Sequence, residues 1–177
     1  AKLIAEEMKG KTVFEKFEEN PFLGDFYSDK SRYAMQTQLF FLLSRYKQQQ
    51  ELQQMDMFTN AIISDYMFDK DRLFATLNLS DMELDLYNRI ANEFQKNIVY
   101  PDLIIFLQSE TDRLMYNIKI RGREFEKNMD WKYLDNLNQI YNEYFFRYNK
   151  GPLVIINTND IDFVNNKDDL NEIIDFI

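Results

Sequence analysis

Short apolar runs alternate along this chain with longer segments of helical periodicity. The runs predict buried strands over residues 12–15, 61–65, 103–107 and 153–157. Apolar residues spaced three and four apart predict helices over residues 1–9, 30–54, 80–94, 109–121 and 168–177, and one further helix that ends before Gly151-Pro152. Strands that alternate with helices are typical of an α/β fold with a parallel sheet. Because the helices dominate by length, we predict a three-layer sandwich with a thin sheet.

Capping residues refine several of these boundaries. Gly10 suits the C′ position of the first helix. Ser80, with Glu83 three residues later, forms a capping box, and Ser109 can cap the helix that follows it. Residues 20–29 are predicted to form a loop rich in aromatic side chains. The apolar positions on which two of the helices depend are Met35, Leu39, Leu42, Leu43 and Tyr46 for helix 30–54, and Met82, Leu86, Ile90 and Phe94 for helix 80–94.

Composition narrows the possible functions. The chain has 177 residues, a length that predicts one domain over residues 1–177. It contains no histidine and no cysteine, which excludes disulfides, thiol nucleophiles and histidine bases and leaves acid–base work to carboxylates, Lys or Tyr. A net charge of −9 argues against a nucleic-acid or anionic-membrane partner. No apolar run is long enough for a membrane span and no signal peptide is recognisable, so we expect a cytoplasmic protein.

Two acidic side chains stand at the ends of predicted strands. Glu15 closes the first strand and Asp65 closes the second. Ligands of open parallel sheets bind at the carboxyl ends of the strands, so the two acids could face a common crevice. One could then act as a general base and the other as a ligand of Mg²⁺, which prefers carboxylate oxygen. Alternatively, each is an ordinary solvated carboxylate.

A basic segment over residues 119–127 is a second candidate site. Its Arg121 and Arg123 could belong to a lid that closes over a transferring phosphoryl group. Alternatively, they are favourable charges at the end of a helix, followed by a solvated loop. A glycine-rich phosphate-binding loop, which such chemistry requires, is absent from the sequence. Helix 1–9 is where that loop would lead, so we expect a first strand and the loop to precede residue 1.

Five segments resemble the deoxynucleoside kinases, in the same order as in that family. They cover essentially the whole chain, and the bacterial, purine-preferring branch is the most similar. Residues 121–134, which begin Arg121-Gly-Arg123-Glu-Phe-Glu126, resemble the lid and the helix after it. The other matching segments are residues 33–45, the pair Phe26-Tyr27, residues 101–107 and residues 161–163. The resemblance implies a phosphate-loop-kinase fold, ATP and Mg²⁺ as cofactors, and a homodimer.

The resemblance also implies roles for the candidate catalytic residues. Glu15 would accept the proton of the nucleoside 5′-hydroxyl, Arg121 and Arg123 would clamp phosphoryl oxygens, and Asp65 would serve the Mg²⁺ site. The family's motif of an acid followed by Arg and Ser reads Asp65-Tyr66 here, which removes one cation near the phosphates. The alignment around Asp65 could also slip by one residue.

The side chains implied in binding are Phe26, Tyr27, Gln38, Arg45 and Glu126 for the nucleoside, and Asp162 and Phe163 for the adenine of ATP. Phe26 and Tyr27 would line the sugar, whose 3′-hydroxyl Tyr27 and Glu126 would hold. Gln38 would pair with the base edge, and Arg45, seven residues later and on the same helical face, would be a second base-site residue. Gln36 remains an alternative base reader.

These residues lead to one main hypothesis and two alternatives. The main one is ATP-dependent 5′-phosphorylation of a deoxynucleoside, purine preferred, in nucleotide salvage. A nucleoside-monophosphate kinase of the same clan is an alternative, although it would need a basic site for the acceptor phosphate beyond Lys30, Arg32 and Arg45. A non-catalytic helical interaction module is the other, since the sequence lacks the phosphate loop.

Overall fold

Helices make up most of the structure, which is a computed structural model that describes residues 1–54 and 59–175. The helices are α1 (Lys2–Glu7), α2 (Leu23–Ser28), α3 (Lys30–Gln53), α4 (Lys70–Asn78), α5 (Asp81–Gln95), α6 (Thr111–Arg121), α7 (Trp131–Phe146) and α8 (Lys167–Asp175), with 3-10 turns at Phe17–Glu19 and Glu124–Glu126. The strands are β1 (Lys11–Val13), β2 (Ile62–Ser64), β3 (Ile104–Gln108) and β4 (Leu153–Asn157). Short strands among long helices are what the sequence predicts.

The strands form two parallel pairs. β1 pairs with β2, with Thr12 opposite Ile63, and β3 pairs with β4, with Phe106 opposite Ile155. The first pair belongs to a compact unit over Ala1–Tyr100, and the second to a unit over Pro101–Ile177. The predicted parallel pairing is therefore found in both units.

Helix α3 buries polar side chains in the first unit. Asp29 caps its start by accepting a hydrogen bond from the Arg32 backbone N–H at 3.3 Å. Its buried positions are Ala34, Thr37, Gln38, Leu42, Arg45, Gln48 and Gln49, whereas Leu43 is 55% exposed. Within the described residues, no helix has both the length and the apolar character that crossing a membrane requires.

One face of the β3–β4 pair is covered by α7 in the second unit. Phe106 of β3 stacks on Phe145 of α7, with ring centroids 4.2 Å apart. Leu107 and Ile155 remain exposed, so the expectation of strands buried throughout is wrong for this pair. Phe145 therefore serves packing within this unit.

Several sequence-based assignments differ from the structure, beginning with one loop and two helix starts. Residues 20–29, predicted as a loop, contain helix α2, whose Phe26 is buried. Ser109 does not cap α6: its buried Oγ lies 2.6 Å from Thr158 Oγ1, and the backbone N–H of Glu110 donates to Asn159 Oδ1 at 2.8 Å instead. Helix α8 begins at Lys167, and Phe176 and Ile177 of the predicted helix lie outside the described residues.

Helix α5 has the predicted start but a different buried face. The capping box between Ser80 and Glu83 is present. However, Met82 is 85% exposed, and the buried residues are Tyr87 and Ala91. Contacts with the neighbouring elements therefore determine which side of α5 is buried, and this side is not its most apolar stripe.

Gly10 is needed for close packing rather than for a left-handed turn. The left-handed residue after α1 is Lys9, with φ of 50°, and the Gly10 N–H donates to the Ala5 carbonyl at 2.8 Å in a Schellman-type end. The C′ position is therefore taken by Lys9 and not, as predicted, by Gly10, which lies one residue beyond it. A Cβ at Gly10 would lie 2.8 Å from the Ala61 carbonyl oxygen, which already accepts the Lys11 N–H.

We predict that Gly10→Ala lowers the free energy of unfolding by about 1–3 kcal/mol, because the added methyl group forces the first strand pair apart. Gly24→Ala is the matched control, since a Cβ at Gly24 meets no atom within 4 Å. Urea unfolding of both variants measures the difference. Equal stability of the two would contradict this account of Gly10.

Candidate functional site

Glu15 and Asp65 lie side by side at the carboxyl ends of the first strand pair. The Asp65 N–H donates to the Val13 carbonyl at 3.3 Å, which extends the ladder by one step beyond the strands. Asp65 Oδ1 then accepts the backbone N–H of Glu15 at 2.8 Å. Parallel pairing of β1 and β2 thus brings together the two acids that the sequence singles out.

Arg45 bridges Glu15 to a second acid, Asp71. Its Nε donates to Glu15 Oε1 at 2.9 Å and its Nη2 donates to the same oxygen, while Nη1 donates to Asp71 Oδ1. Arg45 comes from α3 and is only 3% exposed, and Asp71 lies in the first turn of α4 and is also buried. The guanidinium therefore fixes the end of β1 to both helices.

Lys70 holds the other oxygen of Glu15. Its Nζ lies 2.7 Å from Glu15 Oε2. Burial by itself would raise the pKa of Glu15, but the cations of Arg45 and Lys70 outweigh this and lower the pKa to about 2. Glu15 is therefore ionised at neutral pH.

Asp71 is buried and fully engaged. Its Oδ2 accepts the hydroxyl of Tyr87 at 2.5 Å, and Tyr87 on α5 is completely buried. Burial raises the pKa of Asp71, although Arg45 and the Tyr87 hydroxyl counteract this by stabilising the carboxylate. Burial and the neighbouring Asp71 also raise the pKa of Tyr87, so the hydroxyl stays protonated as a donor. These two residues hold the far side of the Arg45 guanidinium.

Tyr66, at the position where the resemblance implies an arginine, supports the same cluster without supplying charge. Its hydroxyl donates to Gln48 Oε1 at 2.8 Å, and Gln48 Nε2 donates to the Phe14 carbonyl at 2.9 Å. Its ring also lies under the Arg45 guanidinium, 5.9 Å from ring centroid to Cζ. The segment that leads to Glu15 is thus tied to α3.

The predicted nucleoside-binding residues of the first unit lie on α2 and α3. Phe26 and Tyr27 contact each other edge to face, with ring centroids 5.3 Å apart. Gln38 is buried and its Oε1 has no hydrogen-bond partner among the described groups, whereas Gln36 is exposed. An unpaired buried acceptor is costly, and a ligand that donates to Gln38 would remove this cost, whereas an exposed side chain such as Gln36 can bond to water.

The predicted lid residues form a cluster in the second unit. Arg121 ends α6, and Gly122 takes the left-handed conformation after it, with φ of 66°. Arg121 binds Glu126 in a bidentate arrangement, with Nη2 2.8 Å from each carboxylate oxygen. Arg123 Nη1 lies 3.7 Å from Glu126 Oε1. Buried Glu126 therefore holds both guanidinium groups near one point.

The predicted adenine-contacting residues lie between β4 and α8. Asp162 accepts the Asn165 backbone N–H at 3.1 Å and its side-chain Nδ2 at 2.9 Å. These hydrogen bonds lower the pKa of Asp162. Phe163 is half-buried beside it. The loop is therefore ordered by its own side chains and presents one aromatic ring.

Asp65 is suited to a magnesium ion that also binds substrate phosphates. Mg²⁺ is usually held by one or two carboxylates, with water and phosphate as the other ligands. Asp65 is exposed beside Glu15, and its carboxylate offers hard oxygen donors, one of which, Oδ1, also accepts the Glu15 N–H. In the described part of the chain there is no group of three or more metal-ligating side chains.

Sequence reasoning missed Lys70, Asp71 and Tyr87. The run Asp69-Lys70-Asp71-Arg72, close behind a strand-end acid, was the available signal for the first two. Tyr87 gave none, because a tyrosine within an apolar helix is ordinarily read as core. Their partners lie 16 to 55 residues away in sequence, beyond the reach of a local pattern.

Comparison with known proteins matches the whole chain to one family. A family model described as deoxynucleoside kinase matches residues 1–177. A deoxyguanosine kinase of Bacillus subtilis is 28% identical over 180 residues, which cover 98% of this chain and 86% of the relative. A deoxyadenosine kinase of Dictyostelium discoideum is 33% identical over 138 residues, or 75% of this chain and 55% of the relative.

Solved structures share the fold. A deoxyadenosine kinase from M. mycoides, with the products dCMP and a flexible dCDP bound, has a TM-score of 0.85 and 23% sequence identity. The alignment covers 99% of this chain and 89% of the other. This likeness confirms the expected fold class, an α/β fold of the phosphate-loop-kinase type with thin parallel sheets and mostly helical content.

We predict that Asp71→Ala lowers the free energy of unfolding by about 3 kcal/mol, because it leaves the buried Arg45 guanidinium short of one counter-charge. Asp85→Ala is the control: Asp85 pairs with Arg89 four residues later on the exposed face of α5, where such a pair contributes about 0.5 kcal/mol or less. Chemical denaturation of both variants gives the comparison. A loss for Asp71→Ala as small as that of the control would show that the buried pair does not stabilise the fold.

Proposed function

Because this chain belongs to the deoxynucleoside kinase family, we propose that it transfers the γ-phosphoryl group of ATP to the 5′-hydroxyl of a deoxynucleoside, with a purine base preferred. Membership makes the chain a phosphotransferase that acts on a nucleoside. The donor, the preferred base and the roles of single residues are the content of the proposal. The observation that carries it is the Glu15 carboxylate, kept ionised by two cations at the end of β1.

Glu15 is proposed as the base. As the 5′-oxygen attacks the γ-phosphorus, the new O–P bond forms, the bond to the ADP oxygen breaks and the 5′-hydroxyl proton passes to Glu15. A carboxylate whose pKa is lowered to about 2 is a weak base. Phosphoryl transfer through a loose transition state depends mainly on position and charge, so a weak but well-oriented base is adequate.

Arg121 and Arg123 are proposed to bind the oxygens of the transferring phosphoryl group. Their guanidinium groups already converge on one carboxylate, Glu126, and a fork that fits a carboxylate also fits a phosphoryl group. Glu126 in the second unit and Tyr27 in the first are each proposed to contact the 3′-hydroxyl.

Gln38 is proposed to read the base, with Arg45 beside it on α3. The unpaired Oε1 of Gln38 supports this role, because an amide can both accept from and donate to a base edge. Similarity to kinases named for deoxyguanosine and deoxyadenosine supports a purine. A deoxyadenosine kinase from M. mycoides has been solved with dCMP and dCDP bound, so the assay of the preference includes deoxycytidine.

ATP and Mg²⁺ are the proposed cofactors. The M. mycoides enzyme has also been solved with dATP bound, which supports an adenine nucleotide as a ligand of this fold. Asp162 and Phe163 are the proposed adenine contacts, and Asp65 is the residue that would hold Mg²⁺, which neutralises phosphate charge when bound. A homodimer is proposed as well, consistent with the exposed apolar Met82 and Leu86 on α5.

The test is a kinase assay of the full-length enzyme with ATP and Mg²⁺ on the four deoxynucleosides and their monophosphates. We expect 5′-phosphorylation of the nucleosides, with deoxyguanosine or deoxyadenosine giving the highest kcat/KM. Glu15→Gln should lower kcat at least a hundredfold, since it removes the proton acceptor, while nucleoside binding measured by calorimetry persists.

Each alternative has its own signature in this assay. Turnover of monophosphates alone would indicate the monophosphate kinase. Absence of turnover with every acceptor would support the remaining alternative, a non-catalytic interaction module. Unchanged kcat in Glu15→Gln would remove Glu15 from the mechanism without touching the substrate assignment.

We predict that Gln38→Leu raises KM for the preferred deoxynucleoside by about tenfold or more and narrows the difference between bases, because the pairing amide is replaced by a side chain of similar size. Gln36→Leu is the matched control, since Gln36 lies two residues away on the exposed side of α3. Steady-state kinetics with all four deoxynucleosides give both values. A raised KM in Gln36→Leu together with an unchanged KM in Gln38→Leu would assign the base-reading role to Gln36.

A further inference from the structure

The two oxygens of Glu15 are held in unequal ways. Oε1 accepts two N–H groups of Arg45, which uses both of its acceptor positions. Oε2 accepts one hydrogen bond, from Lys70 Nζ at 2.7 Å. Among the described groups, the acceptor position that remains open on this carboxylate is therefore on Oε2.

We propose that Lys70 is a positioning residue for phosphoryl transfer, which holds the Oε2 oxygen of Glu15 so that its open acceptor position meets the 5′-hydroxyl proton. This inference rests on the proposed function, because it takes Glu15 to be the base. Lys70 acts through Glu15, whereas Arg45 fixes the opposite oxygen.

The position of Lys70 in its own helix supports this role. Lys70 is the first residue of α4. A cation there is unfavourable, because the N-terminus of a helix carries partial positive charge. In the part of the chain that is described, Glu15 is the carboxylate that Lys70 pairs with. The location of the ammonium group is thus explained by Glu15 and not by the helix.

A purely stabilising role explains the arrangement less well. The Lys70–Glu15 pair is partly buried, with 24% of the Lys70 side chain exposed, and the net gain of such a pair is small because burial also removes hydration from both charges. The buried anchor of the cluster is Arg45, which is already paired with Asp71. What Lys70 adds is a constraint on rotation of the Glu15 carboxylate, which Arg45 alone grips at one oxygen.

The consequence for catalysis is orientation rather than binding. Without Lys70, Oε2 can rotate away from the direction in which the hydroxyl approaches, and a small misplacement of a reacting group can slow a reaction about a hundredfold. The nucleoside should still bind, because the proposed base contact is Gln38.

The test compares Lys70→Met, which keeps the stem and removes the charge, with Lys70→Arg in the full-length enzyme. We expect Lys70→Met to lower kcat about ten- to a hundredfold with nucleoside KM within about twofold of wild type, and Lys70→Arg to recover most of the rate. Lys96→Met is the control, since Lys96 pairs with Glu93 on the exposed surface, and its kcat should equal that of wild type.

A double variant separates positioning from direct action. If Lys70 acts through Glu15, Lys70→Met should cause no further loss of the residual single-turnover rate in a Glu15→Gln background. Multiplied losses would overturn the positioning role in favour of direct contact with the phosphates. Nucleoside calorimetry and thermal unfolding check that each variant is folded. If Lys70→Met does not fold, the comparison of Lys70→Arg with wild type still tests the role of Lys70.

The wild-type assay distinguishes the two levels of inference. Wild type that phosphorylates deoxynucleosides, together with Lys70→Met of equal kcat, would overturn the role of Lys70 alone. Wild type inactive on every deoxynucleoside would overturn the proposed function, and the role of Lys70 with it.

Discussion

The buried guanidinium of Arg45 is the constraint on which the first unit depends. Removing a cation from water costs several kcal/mol unless counter-charges and hydrogen bonds replace its hydration. Glu15 from the end of β1 and Asp71 from α4 supply those charges, and Tyr87 from α5 satisfies the other oxygen of Asp71. One charged group thus brings a strand end and three helices to a common point.

The same constraint shapes the chemistry that the site can perform. Lowering the pKa of Glu15 from an ordinary 4.5 to about 2 favours the carboxylate by about 3 kcal/mol. Glu15 becomes a weaker base by the same amount of free energy, while its negative charge and its orientation are fixed. So weak a base could not remove a proton from carbon. An alcohol that attacks a metaphosphate-like group releases its proton late, so phosphoryl transfer does not require a strong base.

Much of this could be predicted from the sequence, for identifiable reasons. Apolar runs followed by acids place Glu15 and Asp65 at strand ends, and parallel pairing then makes them neighbours. The capping box at Ser80 depends on residues three apart and was predicted correctly. Lys70 and Asp71 were missed because their meaning depends on partners 55 and 26 residues away. Helix α2 was missed because an aromatic-rich stretch after Asn20-Pro21 resembles a loop.

The polar inward side of α3 determines how accurately that helix is oriented. Hydrophobic burial is indifferent to a few degrees of rotation about a helix axis, since it scales with area and has no direction. Hydrogen bonds weaken within tenths of an ångström and tens of degrees. The hydrogen bonds of Gln48 to the Phe14 carbonyl and of Gln49 to the Val99 N–H therefore fix the rotation of α3 about its axis. The helix that carries Gln38 and Arg45 is set by directional contacts, as a recognition surface requires.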